Sequence, residues 1–331
     1  MIQTAFFNDN ASIYIGNHGH NHVLDYVYGL GRQNDIASIS NLYPEIVTSA
    51  NFDEHIDNLS ELEAIFSTWG MPTLNTEQIR QLPKLKWVFY AAGSTRGFRE
   101  PFIEQGVRVM CATAANAIPV AEFCLAHILL GNKGFIRNSR EAQDPITAHF
   151  ANGKSGPGNY ETKVALLGNG TIACKLLEYL SPFSSITPLV VDSFLDRSEV
   201  SLEEAFSKCQ VVSNHFPDVL TLKDSLHEDL FRLLPQGATF INTGRGAQVD
   251  HAGLIRALKD RPDLTVILDV QSPEPPEEGS ELYSLPNVHL STHIAGSTNN
   301  EVVRMADYAI SAFKKWIEGK PVPYEVNETM L

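Results

Sequence analysis

The sequence predicts an α/β protein built on doubly wound parallel sheets, and three observations predict it. Short apolar, β-branched runs alternate with helical patterns along the chain, as parallel strands joined by helical crossovers require. One such run leads into the turn Gly168-Asn169-Gly170-Thr171-Ile172-Ala173 and then a helix. Three later runs, ATFIN, TVILD and VHLST, are followed in turn by Arg245, Glu274 and His293. Ligands of such sheets bind outside the carboxyl ends of the strands. The cation, carboxylate and imidazole are therefore expected at one edge despite their separation in sequence.

A chain of 331 residues exceeds one ordinary core, so two domains are expected. The boundaries expected are 1–115, completed by 299–331, for one domain and 116–298 for the other. A net charge of −14 leaves no basic face for nucleic acid. No apolar run is read as approaching the roughly 20 residues of a membrane span. The opening MIQTAFFNDN has no basic segment before an apolar core, so no signal peptide is expected. Cys111, Cys124, Cys174 and Cys209 form no C-x-x-C pair, and reduced thiols in a cytoplasmic protein are the expectation.

In the N-terminal third, strands are expected at SIYIG (12–16), AIFST (64–68), WVFYA (87–91) and VRVM (107–110), with helices around 20–30, 75–81 and 98–105. No Gly-rich phosphate turn occurs there, so no cofactor site is expected in this part. His18, His20 and His22 lie in a loop of Gly and Asn without the further ligands a zinc site needs, and no metal is expected. The longest helical pattern runs from Ala117 to Arg140, with Pro119 suited to a first turn. It is apolar on more than one face, which fits a subunit boundary or a core equally. The Gly-, Asn- and Pro-rich segment 144–163 reads as a surface loop and hinge between the halves.

The GNGTIA turn has the dinucleotide pattern in its required setting, strand before and helix after. Gly168 permits the tight turn, Gly170 lets backbone approach a pyrophosphate, and Ala173 allows close helix–strand packing. The helix N-terminus offers N–H groups and partial positive charge to phosphates. The next strand, PLVVD, ends at Asp192, spaced to accept from a ribose 2′-OH and repel a 2′-phosphate. That favours NAD over NADP, with Arg197 pulling the other way; a helix cap is the other reading of Asp192. Further strands at 211–215, 238–242, 265–269 and 288–292 bring the sheet to six, and 306–320 reads as a final amphipathic helix.

INTGRGAQVD, LDVQSPEP and THIAGST, in that order, resemble the D-isomer-specific 2-hydroxyacid dehydrogenases, and LPKLKWVFYAAGS, ANAIPVAEF and GKPVPYEVN fit as well. The resemblance implies a Rossmann cofactor domain with a smaller flavodoxin-like substrate domain made from both termini. It implies hydride transfer between NAD(H) and a 2-hydroxy/2-keto acid, usually in a homodimer. Position by position it makes Arg245 the anchor of substrate carboxylate and carbonyl, Glu274 the acid partner and His293 the proton donor. It places Thr171, Ile172, Asp192, Pro217, Thr243, Asp269 and Gly296 around the cofactor. It places Ala92, Gly93 and Ser94, with Arg96 beside them, around the substrate carboxylate. Thr292 stands where the family usually has proline.

Chemically, a planar guanidinium suits bidentate binding of a keto acid. An imidazole beside a carboxylate suits proton donation as negative charge develops on oxygen. Trp69, Gly70, Met71, Tyr90 and Arg96 are expected on loops facing a cleft. The rival readings are an NAD-binding corepressor and a non-catalytic dinucleotide-binding protein, which fold alone does not exclude.

Overall fold

The computed structural model describes residues 1–10, 22–151, 155–192 and 200–326. The chain forms two compact units, Met1–Asn116 with Ser297–Leu331 (unit 1) and Ala117–Gly296 (unit 2). In chain order, unit 1 contains β1 (Gln3–Phe6), α1 (Val23–Val27), α2 (Gly29–Ile39), β2 (Asn41–Leu42), α3 (Phe52–His55), β3 (Ala64–Ser67), α4 (Thr76–Arg80), β4 (Trp87–Tyr90), α5 (Arg99–Glu104) and β5 (Arg108–Cys111). The helix α6 (Thr113–Lys133) begins in unit 1 and continues in unit 2. There follow α7 (Phe135–Glu141), α8 (Pro145–Ala151), β6 (Thr162–Leu167), α9 (Thr171–Leu180), β7 (Ile186–Val191), α10 (Leu202–Lys208), β8 (Val211–Asn214), α11 (Glu228–Leu233), β9 (Thr239–Asn242), α12 (His251–Asp260), β10 (Thr265–Leu268) and β11 (Val288–Leu290). The last helix, α13 (Val302–Ile317), belongs to unit 1.

Unit 1 holds a five-stranded sheet in the order β2-β1-β3-β4-β5, parallel throughout. That is the flavodoxin-like order. Successive residues point to opposite faces, so Phe6, Phe66 and Phe89 enter one core and Ala5, Ile65 and Val88 the other. α13 covers the first face with Val302, Met305, Ala306, Ala309, Ile310 and Phe313, a stripe at helical spacing. Phe313 packs edge-on to Phe66 and Phe89, with ring centroids 5.0 and 5.3 Å away. Truncating a ring buried this way costs about 3–5 kcal/mol.

Unit 2 holds a six-stranded parallel sheet in the order β11-β10-β9-β8-β6-β7. Leu167, Val212, Phe240, Val266 and Leu268 face α10, α11 and α12, while Val164, Leu166, Val211, Ile241 and Ile267 face α6 and α9. The point where the order reverses lies between β6 and β8, and doubly wound sheets bind ligands at such a point.

Several sequence expectations change here. The strand expected at 12–16 lies outside the described residues, and β1 and β2 were not expected. α6 starts before Ala117, so Pro119 sits inside the helix rather than in its first turn. The residues AANA ahead of it are small and carry no periodic apolar signal. The helix stops at Gly134, where φ is +64°, and resumes as α7. The 21 residues of α6 are long and apolar enough to cross a membrane by length and composition, contrary to the reading of apolar runs above. Its Val120, Ala121, Cys124 and Ile128 instead enter the core with β6, β8, β9 and β10, which explains the apolarity. Segment 144–163 contains α8 and lies within unit 2.

Candidate active site

The carboxyl end of β6 turns through Gly168, whose φ of +104° is open to glycine and rarely to other residues. A Cβ there would lie 2.7 Å from the His215 carbonyl oxygen, so two neighbouring strand ends meet without space for a side chain. Gly170 is the N-cap of α9, in extended backbone and with no side-chain cap. Its surroundings are open, with nothing within 4 Å of a built Cβ. The first amides of α9 are thus left for a ligand, and a helix N-terminus favours an anion. Thr171 is exposed, Ile172 half-buried and Ala173 buried in that first turn. Asp192 follows β7 and is buried. The turn, the uncapped helix and the carboxylate after the second strand fit a dinucleotide.

Three residues stand after the neighbouring strands β9, β10 and β11. His293 has a left-handed backbone, φ +60°, a conformation costing a non-glycine residue roughly 1–2 kcal/mol. Asp269 holds it there. The Asp269 carbonyl accepts the His293 N–H at 3.0 Å. The Asp269 carboxylate accepts the next two amides, Ile294 at 2.8 Å and Ala295 at 2.9 Å, and the Ser291 hydroxyl at 2.7 Å. This carboxylate is buried and occupied by its own chain. Imidazole Nδ1 of His293 lies 2.7 Å from Oε1 of Glu274, and both side chains are partly exposed. Orienting Nδ1 toward the carboxylate leaves Nε2 free to exchange a proton.

Arg245 does not pair with Glu274. Its Nε donates to Oδ2 of Asp218 at 3.2 Å and its Nη1 to the Gly244 carbonyl at 2.9 Å. Both members of the Arg245–Asp218 pair are about 40% exposed (39% and 41%), so the pair adds at most about 1 kcal/mol to stability. Its effect is to fix one edge of the guanidinium.

Thr243 is buried at the end of β9, sharing hydrogen bonds with His215 Nδ1 at 3.2 Å and Cys124 at 3.5 Å. Burial pushes the His215 imidazole down to about 3 and the Cys124 thiol up to about 11. Both are therefore neutral near pH 7. Pro217 is exposed after β8, and Gly296 is half-buried.

In unit 1, Ala92 is buried after β4, Gly93 is half-buried, and Ser94 and Arg96 are exposed. The Thr113 hydroxyl fixes the Gly93 carbonyl at 3.1 Å. Trp69 is half-buried, Met71 buried, and Gly70 has φ +88°. Tyr90 is a correction: it is the last residue of β4, buried against Phe98 with centroids 4.8 Å apart, and not on a loop. His18, His20 and Arg197 fall outside the described residues. His22 caps α1, its Nδ1 accepting from Leu24 N at 3.1 Å.

Sequence reasoning missed Asp218, His215, Asn214, Asn242 and Gln248, all placed near these strand ends. The only signal was the polar close of VVSNH and INTG, which reads equally as the start of a loop.

The family model described as D-isomer specific 2-hydroxyacid dehydrogenase, NAD binding domain, matches residues 126–295. The chain belongs to that family. It is 32% identical over 243 residues to D-3-phosphoglycerate dehydrogenase of Haemophilus influenzae, covering 68% of this chain and 57% of that one. It is 28% identical over 175 residues to glyoxylate reductase of Aeropyrum pernix, covering 51% and 52%. The chain thus spans little more than half the length of these curated relatives. The apo structure of Rhodotorula graminis D-mandelate dehydrogenase matches with a TM-score of 0.78 at 21% identity, over 99% of this chain and 98% of that one, a likeness of fold.

Proposed function

We propose that the chain is an NAD(H)-dependent oxidoreductase that interconverts a D-2-hydroxy acid and its 2-keto acid. The observation that carries this reading is the His293–Glu274 pair at 2.7 Å, set on a loop whose amides Asp269 holds, in a unit with an open dinucleotide turn. A dinucleotide held by that turn would supply, through its nicotinamide, a hydride to the carbonyl carbon or accept one from the hydroxy acid.

The chain's own residues do the rest. Arg245 binds the substrate carboxylate and carbonyl with the guanidinium N–H groups that Asp218 and the Gly244 carbonyl leave open. His293 gives its Nε2 proton to the oxygen as charge develops there and takes it back in the oxidising direction. Glu274 fixes the ring's orientation and favours the proton on Nδ1. Asp269 acts through the loop. Gly168, Gly170, Thr171 and Ile172 hold the pyrophosphate, and Asp192 favours NAD over NADP. Pro217, Thr243 and Gly296 border the cofactor, and Ala92, Gly93, Ser94 and Arg96 serve the substrate carboxylate. The corepressor and binding-protein readings leave the buttressed His293–Glu274 pair without a purpose.

A cytoplasmic homodimer completes the proposal. Leu130, Phe135, Ile146 and Phe150 in unit 2 are large apolar side chains left exposed, and a second copy would cover them.

His293→Ala tests the mechanism. Turnover of NADH with a 2-keto acid should fall about 10²–10⁴-fold, the usual weight of a general acid, while NADH affinity stays within about threefold. Turnover near the parent level would reject the acid–base role.

A further inference from the structure

Resting on the reading of Arg245 as substrate anchor, we propose that Gln248 is the positioning residue that sets this arginine. Gln248 is 2% exposed and its side chain uses its full hydrogen-bonding capacity. Its Oε1 accepts the backbone N–H of Arg245 at 3.1 Å and Nδ2 of Asn214 at 2.8 Å. Its Nε2 donates to the carbonyls of Phe216 at 3.2 Å and Pro217 at 2.7 Å. One side chain thus ties the loop after β8 to the backbone of Arg245.

Asn214 and Asn242 extend this tie. Asn214 Nδ2 also donates to Asn242 Oδ1 at 2.9 Å. Asn242 Oδ1 accepts the Gly244 N–H at 3.1 Å, and Asn242 Nδ2 donates to the Arg245 carbonyl at 3.3 Å. Both backbone groups of Arg245 are therefore held by buried carboxamides. The neighbours leave no slack. A Cβ on Gly244 would stand 2.7 Å from Gln248 Oε1 and 2.8 Å from Asn214 Nδ2, and one on Gly246 would stand 1.9 Å from the Gln271 carbonyl carbon. With the backbone clamped, Asp218 on Nε and the Gly244 carbonyl on Nη1, the direction of the remaining guanidinium N–H groups is set before substrate arrives. A bidentate contact depends on that direction more than on charge.

Gln248→Leu removes the four hydrogen bonds at similar volume. We expect kcat/KM for a 2-keto acid to fall about 30-fold per folded site. In an Arg245→Lys background the same change should cost less than about threefold more, because Gln248 acts through the planar fork that lysine lacks. Multiplicative losses in the double variant, or parent-like kcat/KM in Gln248→Leu, would overturn the positioning role. Gln248→Met, also isosteric, replaces it if the leucine variant does not fold; loss of folding in both assigns Gln248 to the fold and overturns the proposal. The functional reading fails separately, if the parent shows no turnover or Arg245→Lys leaves it intact.

Discussion

Both units carry parallel sheets whose first five strands follow one order, 2-1-3-4-5 in each unit's own numbering, with one strand added in unit 2. Their first crossovers begin differently. After β1, unit 1 spends polar side chains on its own loops: Asn8 Nδ2 donates to the Trp69 carbonyl at 2.8 Å, and the Asp9 carboxylate accepts from the Ser49 amide and hydroxyl, both at 2.6 Å. After β6, unit 2 has Gly168 and Gly170, which offer no side chain, and a helix without a side-chain cap. The same topology thus closes one strand end with its own bonds and leaves the other open. A ligand needs the second kind, so fold alone does not show which of two like sheets binds one.

Gly168→Val gives the largest break in that contrast. It forces a β-branched residue into φ +104° and a Cβ to within 2.7 Å of the His215 carbonyl. We expect NADH affinity to fall more than about 100-fold by fluorescence titration, with a loss of roughly 3 kcal/mol or more in denaturant stability. Unchanged affinity would remove the β6 turn from the cofactor site.

The buried imidazole of His215, whose carbonyl abuts that turn, gives a smaller effect, read by pH. His215 is pushed down to about 3 by burial, whereas in the unfolded chain it titrates near 6.5. Below about pH 6.5 the unfolded state takes up a proton that the folded state refuses, so stability is lost as pH falls. From this group the loss is about 1.4 kcal/mol per pH unit, continuing to about pH 3, and its contribution is full above pH 6.5. Denaturant titrations of His215→Gln between pH 7 and 5 should show an acid limb shallower by about that slope. Parallel limbs would contradict a neutral, buried His215.

The smallest effect belongs to unit 1. Asp9→Ala should cost about 1 kcal/mol of stability through two lost bonds and leave NADH affinity unchanged. A fall in affinity would undo the contrast between the two crossovers.

The sequence showed Arg245, Glu274 and His293 because each follows a short apolar run, and parallel strands carry such residues to one edge. It marked the turn at Gly168 and Gly170 because glycine spacing between strand and helix has few other uses. It did not show the supports. Asn214, Asn242 and Gln248 are polar residues buried by contacts with one another, a pattern that reads as loop until the partners are known. The bonds from the Asp269 carboxylate to Ser291, Ile294 and Ala295 were hidden as well, by their distance in sequence. The start of α6 was hidden by small residues, which lack periodicity whether helical or not.

The central claim, that the open end of unit 2 performs hydride chemistry on a keto acid, is tested most directly by NADH oxidation with the parent protein. The panel would hold glyoxylate, hydroxypyruvate, pyruvate, branched 2-keto acids and sugar-derived 2-keto acids, followed by the loss of NADH absorbance. The account predicts sustained turnover on at least one, yielding the D-2-hydroxy acid. NADH binding with no turnover on any of them would contradict it.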